Sequence, residues 1–239
     1  MHHVEDAAVE ILFKGSPLSE GPKPAIFYFA ISAEDSLSQD PFCQPIDHLE
    51  DRDVRLISIT LPFHEKGLDP YKAIELWAKN LKLLITFIDN CEIEIRKLLD
   101  SGHLVPGKIG MMGLSRGGLI ALHLAARIPE IASICGFAPV TQISALSEFS
   151  SGFADKYEPK HLIDKLYARK IRFYIGNHDT RVLTRSCYEW IEAATDCAIQ
   201  NGISSPNIEL TISPSIGRHG HGTAKHTFEA GAEWTLNTL

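Results

Sequence analysis

The sequence predicts an α/β domain with a mainly parallel sheet covered on both faces by helices. Three observations lead there. Short, almost uninterrupted apolar runs recur along the chain, longer stretches with apolar residues at helical spacing separate them, and Gly and Pro punctuate the joins. Strands that alternate with helices need right-handed crossovers, which lay the strands side by side and parallel.

In chain order, segment 9–15 reads as one edge strand leading into the sheet, and the runs 25–31, 54–61, 108–112, 131–137, 171–175 and 208–212 read as strands buried on both faces. Segments 71–99, 116–127, 184–199 and 223–239 carry helical periodicity. Gly102, Pro106 and Gly107 mark the exit from the first of these helical segments, and Pro129 closes the second. Segment 141–166 departs from the alternation, being polar with Ser/Gly punctuation at 150–152, and is expected to form a small cap insertion at one end of the sheet.

All 239 residues fit a single domain, 1–239, large enough to bury its own core. Apolar residues make up 44% and charged residues 22%, an ordinary globular composition. Lys and Arg number 23 against 30 Asp and Glu, a net charge of −7, and no basic stripe is present to release phosphate counterions, so nucleic acid is not an expected partner. The five cysteines are scattered and never spaced C-x-x-C, which disfavours a disulfide framework and a zinc site. Residues 1–10 lack the basic and apolar regions of a secretory signal, and no apolar run is long enough to span a bilayer, so a cytoplasmic location away from membranes is expected.

The most informative segment runs from Lys108 to His123: an apolar strand, then Gly113-Leu114-Ser115-Arg116-Gly117, then a helix. The five-residue pattern G-x-S-x-G alone arises by accident in about one chain in ten of this length. Its position between strand and helix raises its meaning, because a nucleophilic serine in a strained turn needs small neighbours on both sides. Gly113 and Gly117 supply them, and Gly118 lets the helix approach the sheet. A serine at a helix N-terminus also meets N–H groups and a positive dipole end, the N–H of Arg116 being the first expected donor to an oxyanion.

A serine hydroxyl needs a base, and the base needs an orienting carboxylate. Asp179 lies just past the strand at 171–175, on the sheet edge that carries Ser115; the plainer reading of an aspartate there is a turn or helix cap. Two histidines compete as base in the loop after the strand at 208–212. His221, flanked by Gly220 and Gly222, is preferred over His219. His64, His123 and His178 read as packed or solvated histidines.

On the motifs Gly113–Gly118, Gly176–Asp179 and Gly220–Thr223, the chain resembles the α/β-hydrolase superfamily, closest to its esterase and peptidase branch of prolyl-oligopeptidase-like and dienelactone-hydrolase-like members. The resemblance covers the chain from about Ala25 onward. It implies an α/β-hydrolase fold with Ser115 as nucleophile, Asp179 as acid and His221 as base, and no cofactor or metal. The serine itself disfavours the aspartate chemistry of haloalkane dehalogenases and the cysteine chemistry of dienelactone hydrolases. One departure from the pattern is plain. Where relatives carry His-Gly after the first buried parallel strand, this chain has Ala30-Ile31-Ser32, so the second oxyanion donor falls to Ser32 or its neighbour Ile31.

The expected activity is cleavage of a small ester, thioester or amide through an acyl-enzyme, in a fairly open pocket lined by Phe63, Phe149, Arg116 and Arg181. Alternatives from other classes are an acyltransferase on the same residues and a non-catalytic binding protein on the same scaffold. Arg116 and Arg181 read equally as binders of a substrate carboxylate and as members of surface ion pairs.

Overall fold

The computed structural model describes residues 1–65, 70–149 and 155–239. Eight strands form one sheet: β1 (His2–His3), β2 (Ile11–Lys14), β3 (Lys23–Phe29), β4 (Arg55–Ile59), β5 (Leu104–Leu114), β6 (Ile131–Phe137), β7 (Lys170–Gly176) and β8 (Ile208–Ser213). Their order across the sheet is β1-β2-β4-β3-β5-β6-β7-β8. From β4 to β8 all neighbours are parallel, while β1 and β2 add antiparallel at one side.

The helices are α1 (Ala33–Ser38), α2 (Gln44–Asp47), α3 (Pro70–Lys79), α4 (Leu81–Asp100), α5 (Arg116–Ala125), α6 (Ile163–Leu166), α7 (Thr184–Gln200) and α8 (Lys225–Asn237). The two-residue period of the strands divides the core between two layers. In β3, Ala25, Phe27 and Phe29 point into one layer, which also holds buried residues of α3, α4, α5 and α7. Ile26 and Tyr28 point into the other, with Leu37 of α1, Ile46 of α2 and Phe228 of α8. Strands buried on both faces are apolar at nearly every position, which is why the sequence shows runs instead of alternation; Arg55 and Ser58 of β4 are buried exceptions, and β8, expected to be buried on both faces, is an edge strand with Thr211 and Ile212 exposed.

Several expectations need correction. The helical segment 71–99 is two helices, broken at Asn80, whose φ of −146° and ψ of 76° leave helical space. Asparagine yields helical geometry readily because its side chain competes with the backbone for hydrogen bonds. The expected edge strand, β2, is not the edge: His2 and His3 pair outside it, and the His2 ring stacks on Phe13 with centroids 4.9 Å apart. Pro106 and Gly107 lie inside an irregular start of β5, where Gly107 adopts a φ of +77°. Helices α1 and α2 were not expected at all; they are too short and polar to show a period.

The described residues of segment 141–166 form short 3₁₀ turns, Ile143–Ala145, Asp155–Tyr157 and Pro159–Leu162, followed by α6. Its punctuation at 150–152 lies outside the described residues. Two buried polar side chains anchor the rest. The Glu158 carboxylate accepts the N–H groups of Ile143 and Ser144, each at 2.7 Å, and Nε2 of His123 on α5 meets the carbonyl of Tyr157 at 3.1 Å. At the opposite end of the strands, fully buried Arg55 donates to the carbonyls of Ser16, Pro17, Gly21 and His103.

Burial pulls the His123 imidazole down to about 4, and the nearby Arg127 charge adds to this against the pull of the Tyr157 carbonyl. His64 is likewise lowered to about 4, by burial first and by the charge of Arg116 second. Both titrate below an unfolded histidine near 6.5, so the unfolded chain binds more protons between those values. The stability tied to the neutral rings is complete above about pH 6.5 and is lost as pH falls towards 4, at up to about 3 kcal/mol for each ring. Urea unfolding across pH 7 to 5 is therefore expected to lose stability less steeply in His123→Gln than in the wild type; equal slopes would refute the assignment.

Candidate active site

The site is assembled at the C-terminal edge of the parallel strands, from the connections that follow β5, β7 and β8. Ser115 sits between β5 and α5 with φ of +54° and ψ of −114°, a region that non-glycine residues rarely occupy. Backbone bonds on both sides hold it there. Its N–H donates to the carbonyl of Phe137 at 2.8 Å, and its carbonyl accepts from Gly118 at 3.0 Å and Val140 at 2.9 Å. A Cβ on Gly113 would overlap the backbone of Gly117, and one on Gly117 would overlap the carbonyl oxygen of Phe29. The glycines thus let helix α5 press against both β5 and β3, which the turn at Ser115 requires.

Asp179 follows β7 and is buried, with 3% of its surface exposed. One carboxylate oxygen, Oδ1, accepts the N–H groups of Arg181 at 2.8 Å and Val182 at 3.0 Å. The other, Oδ2, meets Nδ1 of His221 at 2.7 Å. The turn role and the orienting role, alternatives in the sequence, are both filled by the two oxygens of one side chain. Nε2 of His221 lies 2.9 Å from Oγ of Ser115, completing an unbroken line from carboxylate to hydroxyl. The ring in that line is that of His221; His219, its sequence competitor, is exposed on the same cavity.

The loops bearing Asp179 and His221 are tied together. Thr180 donates its N–H to the carbonyl of His219 at 2.9 Å, His178 donates to Oγ of Ser215 at 2.6 Å, and Ser215 donates to Oδ1 of Asn177 at 3.0 Å. Gly220 has a φ of +69°, and a Cβ there would overlap the carbonyl oxygen of His178. The glycine before His221 is therefore needed for close contact between the two loops.

A cavity of about 480 Å³ opens in front of Ser115. Ile74, Val140 and Leu146 give it apolar walls, and Arg116, Glu148, Arg181 and Arg218 line it with charge. Arg181 grips Glu148 through two bonds of 2.6 and 2.9 Å. Burial pushes the Glu148 carboxyl up, but the bonds from Arg181 outweigh it and leave it below its ordinary value. The Arg116 guanidinium lies over the ring of Trp77, 5.9 Å from its centroid, and its backbone N–H occupies the first position of α5.

Two residues expected to line the pocket are elsewhere. Phe149 is buried in the core and Phe63 is packed against it, so neither lines this cavity. Ser32 lines a separate cavity beside β4, together with Thr60 and Pro62. Its hydroxyl accepts the N–H of Asp35 at 3.1 Å to start α1, and the N–H of Ile31 donates to Oγ of Ser36 at 3.1 Å. The chain turns into α1 soon after β3, and the turn is also tied to the segment after β4, where Leu61 donates to the Ile31 carbonyl at 3.0 Å and Ala33 donates to Oγ1 of Thr60 at 2.8 Å. Glu148 and Arg218 were missed by sequence reasoning. Their only signal was proximity to the motifs, Glu148 in the cap segment and Arg218 three residues before His221.

No family model matches the sequence, and no curated protein matches it. Solved structures do match. TT1662 from Thermus thermophilus superposes with a TM-score of 0.75 at 14% identity, covering 100% of this chain and 98% of that one. Est1E from Butyrivibrio proteoclasticus, determined with ferulic acid bound, gives 0.62 at 14% identity over 100% and 99%. A puromycin-hydrolyzing peptidase from Mycobacterium tuberculosis gives 0.68 at 14% identity over 99% of this chain; the chain spans 39% of the length of that peptidase. With the strand order above, these matches establish the α/β-hydrolase fold for this chain. Among the described residues, no helix is long and apolar enough to cross a membrane, and no cluster of His, Cys, Asp and Glu could hold a metal ion.

Gly117→Ala is expected to force α5 away from Phe29 and to destabilise the protein by about 1–3 kcal/mol, the usual range for overpacking. The midpoint and slope of urea unfolding measure this, and an unchanged midpoint would show that the close approach is dispensable.

Proposed function

We propose that this protein is a serine hydrolase that cleaves a small ester, thioester or amide through an acyl-enzyme on Ser115. The observation that carries the reading is the line Asp179–His221–Ser115, with successive separations of 2.7 and 2.9 Å. His221 takes the Ser115 proton as Oγ attacks the substrate carbonyl, and Asp179 holds the ring in the tautomer whose Nε2 can accept it. The protonated imidazole then gives its proton to the leaving alcohol, thiol or amine. A water deprotonated by His221 next attacks the acyl-Ser115 ester and releases the acid.

The oxyanion of each tetrahedral intermediate is assigned to the N–H of Arg116, where the α5 dipole adds a favourable field. Neither Ile31 nor Ser32 is among the described residues that line the cavity, so the Arg116 N–H is the one donor assigned here. The cavity in front of Ser115 takes a small or short acyl group between Ile74, Val140 and Leu146. No cofactor or metal enters this scheme.

Turnover of p-nitrophenyl acetate and labelling by a fluorophosphonate probe test the proposal. Both are expected in the wild type and absent in Ser115→Ala. Asp179→Asn is expected to lower kcat by about 10⁴-fold through the wrong imidazole tautomer. His221→Ala should cost orders of magnitude where His219→Ala does not. Unchanged turnover in Ser115→Ala would overturn the proposal.

A further inference from the structure

We propose that Arg218 is a specificity residue that selects acyl substrates bearing a free carboxylate; the inference rests on the hydrolase reading above. The chain as a whole is acidic, with a net charge of −7, yet the wall of the Ser115 cavity is not. Its carboxylate, Glu148, is held by both arms of Arg181, so these two charges cancel locally. The Asp179 side chain is completely shielded from solvent behind His221. An incoming carboxylate therefore meets no uncompensated negative charge among the described lining residues.

Arg218 lines the same cavity, and among the described residues its guanidinium has no carboxylate or carbonyl partner. Arg181, one of the two arginines expected from the sequence to bind a carboxylate, is already occupied by Glu148. Arg218 has its fork of donors to offer, and that fork matches a carboxylate in two-pronged geometry.

The backbone that presents Arg218 is well defined. Gly217 has a φ of +71° and His219 a φ of +59°, and the His219 carbonyl is bonded to Thr180 on the acid loop. The turn that sets the His221 ring against Ser115 is thus the turn that displays Arg218 in the cavity. Recognition of a charged group and alignment of the base depend on one backbone geometry.

The test compares kcat/KM on two matched pairs of esters. Mono(4-nitrophenyl) adipate against 4-nitrophenyl hexanoate places the carboxylate on the acyl part. The butyrate ester of 3-hydroxybenzoate against that of 3-hydroxybenzamide places it on the alcohol part. In one of the pairs the anionic ester is expected to be preferred by about tenfold, through KM, with the preference shrinking at high salt as the charges are screened. Arg218→Gln should bring the ratio close to one, and Arg218→Lys should retain part of it. Arg218 is exposed, and matching urea midpoints establish that the variants fold.

A ratio near one for both pairs in an active wild type would overturn the anion preference and leave the hydrolase reading standing. A preference that persists in Arg218→Gln would overturn the assignment to this residue. Failure to turn over any of the esters, together with no fluorophosphonate labelling of Ser115, would instead overturn the underlying hydrolase reading.

Discussion

The backbone of Ser115 is held in a conformation it would not choose, and the arrangement of the site follows from that constraint. A residue at φ of +54° outside glycine persists only where its surroundings over-determine it. Here β6 takes the Ser115 N–H through Phe137, and the first turn of α5 and the segment after β6 take its carbonyl through Gly118 and Val140. Three neighbouring pieces of chain thus fix one peptide unit on each side of the serine. The glycines at 113 and 117 are the steric condition for this, since α5 approaches two strands so closely that a methyl group on either would meet backbone.

Asp179 and His221 are held by a different device. Their loops carry few apolar residues and are joined through Asn177, His178, Thr180, Ser215 and His219 by hydrogen bonds between loop and loop. Asp179 belongs to both systems, because one of its oxygens closes its own turn and the other reaches the imidazole. A carboxylate already fixed by two backbone N–H groups has little freedom to rotate, so the ring it holds is aimed. Segment 141–166 is anchored by Glu158 and His123, and it meets the turn of Asp179 through the grip of Arg181 on Glu148.

Much of this was legible in the sequence. The strands buried on both faces, the G-x-S-x-G turn and the residues Ser115, Asp179 and His221 all announce themselves through local pattern: an apolar run, a glycine where crowding demands it, a polar residue just past a strand end. What was not legible depends on contacts between distant segments. Phe63 and Phe149 were expected to line the pocket, yet burial in or against the core is the more favourable place for a large apolar ring. Ser32 sits where a donor was wanted, but nothing in the sequence said that α1 begins there. The pairing of Arg181 with Glu148 joins residues 33 positions apart, and charge type alone cannot reveal which of several arginines is engaged.

Arg55 lies at the other end of the same strands. It is a fully buried cation surrounded by carbonyl oxygens of two connections, Ser16, Pro17 and Gly21 between β2 and β3 and His103 between α4 and β5. Truncating it would orphan several acceptors at once, at a place remote from any reacting atom. Under the proposed activity the sheet therefore has a chemical end and a mechanical end: damage near Ser115 registers first in rate, while damage near Arg55 registers first in whether the chain folds, so the two kinds of loss can be told apart by where along a strand they fall.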